Sequence, residues 1–109
     1  MTKEKSKLSI PILNNAQKKR LRTLGHDLRP LVLIGREGVS ATLLASADAA
    51  LKSHELVKVQ LERNAPLERE EAAQILVHAA AAALVQQIGR TFLLYRPNPD
   101  LPEGRRIVL

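Results

Sequence analysis

A chain of 109 residues, 45% hydrophobic and 26% charged, makes one small domain with room for a single modest core, and a second domain is not expected. The lack of cysteine excludes a disulfide framework, a thiolate metal site and a thiol nucleophile. No apolar run approaches the roughly 18 residues of a membrane span, and the start, MTKEKSKLSI, has lysines but no apolar core of a leader, so a cytoplasmic location is expected.

The net charge of +6 is concentrated at one end. Residues 1–29 hold eight basic residues against two acids, whereas the rest of the chain is balanced, nine against nine. A neutral body with a cationic end suits a polyanion, because Lys and Arg over phosphate release condensed counterions.

Residues 1–13 read as a flexible basic tail carrying Lys3, Lys5 and Lys7, and Pro11 argues against helix there. Asn14 or Asn15 caps a helix to about Leu24, with Gly25 as its stop. On a helical wheel Leu21, Leu24 and Leu28 share one side, and Lys18, Lys19 and Arg22 share the other. Pro30 excludes helix at Arg29, and LVLI (31–34) follows as a short strand apolar on both faces. After GREG (35–38), Ser40 caps a second helix in which Val39, Leu43, Ala47 and Leu51 recur every four residues to about Ser53.

The strand LVKVQLE (56–62) alternates, with Val57, Val59 and Leu61 facing a core and Lys58, Gln60 and Glu62 facing water. RNAP turns the chain into a third helix, expected from about Leu67 to Val85, with Glu68, Glu70 and Glu71 near its positive end. Short strands around QQI and TFLLYR flank Gly89 and Arg90. Residues 99–109 form a proline-bearing tail in which IVL is expected to dock as one more short strand.

This order, α-β-α-β-α-β-β, predicts an α/β two-layer sandwich with a four-stranded mixed sheet over residues 14–98, and a right-handed parallel crossover from 31 to 62. The first strand has no wet face, so the first helix is expected to cover it and to bring its cationic side beside GREG. A four-residue junction with glycine at both ends turns tightly and lets another chain approach without meeting a Cβ. The helix behind it offers backbone N–H groups and a partial positive charge, for which an anion is the natural guest. GxxG loops of this kind clamp the sugar-phosphate backbone in KH-type modules.

The order of LRTLGHDLRPLVLIGREGVS, HELVKVQL and QQIGRTFLLYRPN resembles the CRM domain family (chloroplast RNA splicing and ribosome maturation) in its stand-alone bacterial YhbY-type form, over residues 15–98. The resemblance implies RNA binding, association with large ribosomal subunit precursors, and a fold similar to the C-terminal domain of a translation initiation factor. In that fold the sheet order is 1-2-4-3 with the last strand antiparallel. It places the family's loop on Gly35, Arg36, Glu37 and Gly38, with basic support from Lys18, Lys19, Arg22 and Arg29. Glu37 departs from the basic or neutral residues usual between the glycines, and a carboxylate beside phosphate is repulsive.

Phe92 and Tyr95 sit in an apolar strand where core packing is their expected role, which leaves no base-stacking platform and favours recognition of structured RNA by phosphate and shape. His26, His54 and His78 join no nucleophile, metal-ligand or phosphate-loop motif, so no catalysis, cofactor or metal is expected, and a monomer is. The alternative is a protein-interaction module associated with the ribosome, using the alanine-rich stretch VHAAAAALV as a close-packing face.

Overall fold

The computed structural model describes residues 9–109; Lys3, Lys5 and Lys7 of the expected tail lie outside the described residues. Its elements are α1 (Asn15–Gly25), β1 (Pro30–Ile34), α2 (Ala41–His54), β2 (Leu56–Leu61), α3 (Arg69–Ala80), β3 (Ala83–Ile88) and β4 (Thr91–Tyr95), followed by a short 3-10 turn, Glu103–Arg105. The sheet order is β1-β2-β4-β3. β1 and β2 run parallel, with Val32 opposite Val59 and Ile34 opposite Leu61, and β4 is antiparallel to both of its neighbours. The expected fold class and strand order both hold.

Local chemistry explains the helix starts. Asn14 and Gln17 form a reciprocal capping box: the Gln17 N–H donates to Asn14 Oδ1 at 2.8 Å and the Asn14 N–H donates to Gln17 Oε1 at 3.0 Å. Ser40 Oγ accepts from the Leu43 N–H at 3.1 Å, and each such cap is worth about 1 kcal/mol. Alternation along the strands then divides the apolar residues between two faces. Val32, Ile34, Val57, Val59, Leu61, Phe92 and Leu94 pack against Ala47 and Leu51 of α2 and against Ala72, Ala73 and Leu76 of α3. The opposite face carries α1, whose Leu21 is fully buried among Leu56, Val85, Leu93 and Tyr95. Burying that leucine stabilises the fold by about 1.5–3 kcal/mol. Phe92 and Tyr95 are both core residues. Burial, and after it the charge of Glu55, pushes the Tyr95 phenol above its ordinary pKa, with Arg106 opposing.

Several expectations are corrected. The third helix stops at Ala80 instead of reaching Val85: Ala81 takes a left-handed conformation (φ 52°, ψ 48°) and the Ala82 N–H reaches back to the Val77 carbonyl at 3.1 Å. The rest of the alanine run is therefore the buried start of β3 and offers no exposed close-packing face. Arg96 reinforces the stop by donating to the Ala80 carbonyl at 2.7 Å. The same guanidinium pairs with Asp48 at 3.0 Å. Burial pushes the Asp48 carboxyl up, but hydrogen bonds and charge from Lys52 and Arg96 outweigh it and hold the pKa below its ordinary value.

α1 does not cover β1. It packs on β2, β3 and β4, and Leu31 and Leu33 of β1 stay 51% exposed on that side. Lys58, expected to face water, is half-buried beneath the end of α1 and donates from Nζ to the His26 carbonyl at 3.3 Å. The terminal IVL forms no strand; the Ile107 N–H is held by Glu55 Oε1 at 2.6 Å and the Val108 carbonyl by Arg20 Nε at 3.0 Å.

Gly25 is not a left-handed stop either. It is buried in the last turn of α1, where an added Cβ would lie 2.6 Å from Leu93 Cδ1, so glycine is what lets the helix sit down on the sheet. Gly25→Ala is expected to cost about 1–3 kcal/mol by overpacking. Leu93→Val in the same chain should recover part of that loss, a non-additivity that urea unfolding of the two single variants and the double variant measures.

Candidate nucleic-acid interface

GREG follows β1 directly. The Gly38 N–H donates to the Gly35 carbonyl at 2.9 Å, closing a tight turn with Arg36 and Glu37 exposed at its corner. Gly38 has φ +67°, which disfavours any side chain, and its missing Cβ would lie 3.2 Å from Pro66 Cγ. Gly35 faces the loop after β2: a Cβ there would come 3.0 Å from Glu62 Oε1 and 3.7 Å from Asn64 Oδ1.

The parallel pairing creates this neighbourhood. Because β1 and β2 end side by side, with the Glu62 N–H on the Ile34 carbonyl at 2.8 Å, residues 35–38 and 62–66 lie together at one edge of the sheet. The hairpin turn between β3 and β4 reaches the same end, where Arg90 donates to the Leu61 carbonyl from Nε at 3.0 Å and to the Glu62 carbonyl from a terminal nitrogen at 2.7 Å. At the start of α2, the Ser40 hydroxyl already occupies the Leu43 N–H, so the helix end is less open to an anion than the sequence implies.

The cations of the described residues differ in what they hold: Lys52 pairs with Asp48, and Lys58 donates to the His26 carbonyl. Arg20, Arg69, Arg90, Arg96 and Arg105 hold backbone carbonyls, and Arg69 and Arg96 also pair with Glu70 and Asp48. Within the described residues, Lys18, Lys19, Arg22, Arg29, Arg36, Arg63 and, at the far C-terminal end, Arg106 make no ion pair. Cations without an internal role remain available to a polyanion.

Their placement differs from the expected single surface. On α1, Lys18 and Arg22 lie on the flank opposite Arg20 and Leu24, and Lys19 points outward. Arg29 precedes β1 whereas Gly35 follows it, so the strand separates them by roughly 20 Å at about 3.3 Å per residue. Arg29 therefore does not join the loop. Arg63, exposed between the Glu62 and Asn64 side chains that reach Gly35, belongs to the loop beside GREG, and it escaped the sequence reading although the signal was there: a parallel crossover places the loop after β2 beside the loop after β1. Among the described residues no group of three His, Asp or Glu side chains is placed to hold a metal ion.

Residues 13–96 match the CRS1/YhbY (CRM) domain family. A probable RNA-binding protein of Pseudomonas aeruginosa is 38% identical over 90 residues, which span 80% of this chain and 84% of that one. A probable RNA-binding protein of Bacillus subtilis is 33% identical over 89 residues, 82% of this chain and 93% of that one. The solution structure of a hypothetical protein from Staphylococcus aureus superposes with a TM-score of 0.71 at 33% identity, covering 84% of this chain and 96% of that chain.

Proposed function

Because this chain belongs to the CRS1/YhbY (CRM) domain family, we propose that it binds structured RNA through phosphate and shape. The names of its relatives support the RNA, and the observation that carries the site is the set of cations with no internal partner. In this reading the RNA backbone runs over Gly35, Arg36, Glu37 and Gly38 with Arg63 beside them, and Lys18, Lys19 and Arg22 add phosphate contacts from α1. Arg29 meets only RNA long enough to span β1. The RNA we assign is ribosomal, in large-subunit precursors in the cytoplasm, bound by a monomer without catalysis.

Replacing Lys18, Lys19 and Arg22 together with alanine tests the proposal. These side chains are exposed or half-exposed, so the fold is expected to survive. Affinity for unrelated structured RNAs should fall alike, because phosphate contacts position a complex without reading its sequence. The log–log salt slope of binding should flatten by roughly one unit for each lost contact, and somewhat less for single strands. Fluorescence anisotropy at several salt concentrations measures both. Unchanged affinity with an unchanged slope removes α1 from the RNA surface, and absence of any salt-sensitive RNA binding by the parent chain removes the function itself.

A further inference from the structure

We propose that the groove between α1 and β1 docks an acidic amphipathic helix from a protein partner. The groove exists because α1 settles over β2, β4 and β3 and leaves β1, an outermost strand, uncovered on that face. Its cavity of about 400 Å³ is floored by Leu24, Leu28, Leu31, Leu56 and Ile107. Leu33, 51% exposed like Leu31, extends the apolar strip along the strand. Contiguous apolar surface of this kind marks an interaction site more often than isolated exposed leucines do.

The rim decides the occupant. Arg29, His54 and Lys58 line the groove, and among the described residues no acid does. Arg29 has no ion-pair partner within the described residues. RNA would satisfy the rim but leave the leucines wet, since among the described lining residues the single ring for a base to stack on is the His54 imidazole at the rim. A second copy would set one cationic rim against another across a two-fold axis. A segment with leucines on one face and carboxylates on both flanks satisfies floor and rim together. The exposed length of β1, roughly 16 Å at about 3.3 Å per residue, matches about three turns of helix. The cavity lies at the Arg29 end of β1 and its occupant reaches along the strand toward GREG, so an RNA confined to the loop can be held beside the partner whereas one that spans β1 competes with it, and the inference does not depend on the RNA reading.

The test uses the full chain, labelled with nitrogen-15, and two synthetic helical peptides with leucines at i, i+4 and i+7 flanked either by glutamates or by lysines. The glutamate peptide is expected to shift the amide signals of Leu24, Leu28, Leu31 and Ile107 and to bind at least tenfold more tightly than the lysine peptide. Leu31→Asp, at a half-exposed position, should weaken that binding at least tenfold with little change in thermal midpoint. If that variant unfolds, Arg29→Glu serves instead, and the preference should then move toward the lysine peptide. Equal binding of the two peptides, no binding of either, or binding indifferent to both substitutions overturns the proposal. So does a structured RNA hairpin that shifts the same four amides and displaces the peptide, or a dimer in sedimentation that Leu31→Asp abolishes, since these give the groove to RNA or to a second copy.

Discussion

Glu55→Ala is expected to lower the thermal midpoint by on the order of 15–25 °C, from a loss of about 3–5 kcal/mol. Glu55 is the one buried charged side chain among the described residues, 1% exposed. Its two carboxylate oxygens each accept a backbone N–H at 2.6 Å, Oε2 from Asn98 and Oε1 from Ile107. Hydrogen bonds to a charged group contribute about 1.5–3 kcal/mol each, and truncation leaves both donors without the partner that holds them. One side chain thus ties both ends of the segment after β4 to the start of β2. Limited proteolysis provides a second readout, because cleavage between Asn98 and Arg106 should accelerate in the variant before global unfolding does.

The backbone at Glu55 supplies an internal control. Its φ of 64° with ψ of −38° is unfavourable for any residue with a Cβ. Glu55→Gly loses the same carboxylate but relieves that conformation, so it should be less destabilised than Glu55→Ala by about 1 kcal/mol. Equal midpoints for the two variants would mean that the backbone stores no strain there. A midpoint for Glu55→Ala within a few degrees of the parent would mean that the C-terminal segment is held by something other than this carboxylate.

The position of Glu55 also shows why parts of the fold were illegible in the sequence. Capping residues announce themselves locally, and Asn14 and Ser40 sit where their side chains predict. The period-two alternation of β2 fixes its buried face because it needs only neighbours along the chain. Glu55 looks like an ordinary surface glutamate, and only two backbone groups 43 and 52 residues away make it a buried anchor. Ala81 hides the end of α3 for a related reason. Inside an alanine run no glycine marks the left-handed residue, and propensity argues for continuing the helix. The position of α1 followed from a sound premise, that an apolar strand needs a cover, but Gly25 and Leu21 find closer complementarity over Leu93 and Val85 than over β1. In the candidate site the loop was legible from its two glycines, whereas the separation of Arg29 from that loop and the arrival of Arg63 depended on which end of β1 each residue occupies.

The loop's own contribution is tested by Gly38→Asp set beside Gly38→Ala, and the expected result is a loss of RNA affinity of roughly tenfold for the aspartate beyond any loss for the alanine. Both variants force a Cβ onto a residue at φ +67° and push it to 3.2 Å from Pro66, so both should lose about 1–2 kcal/mol of stability. Gly38→Asn, of the same shape as the aspartate, separates the negative charge from the bulk of the added group. Glu37→Lys is the converse change at the exposed corner of the turn, where it removes a repulsion from phosphate and adds an attraction. At that position each term is on the order of 1 kcal/mol or less, so affinity should rise several-fold at low salt and by less as ions screen the contact. Thermal unfolding run beside anisotropy titrations separates folding from binding. The glycines serve only the geometry of the turn if Gly38→Asp stays folded with full affinity and Glu37→Lys is indifferent. A gain for Glu37→Lys combined with a charge-specific loss at Gly38 places the phosphate against the loop, because only a nearby anion responds with opposite sign to the two charges.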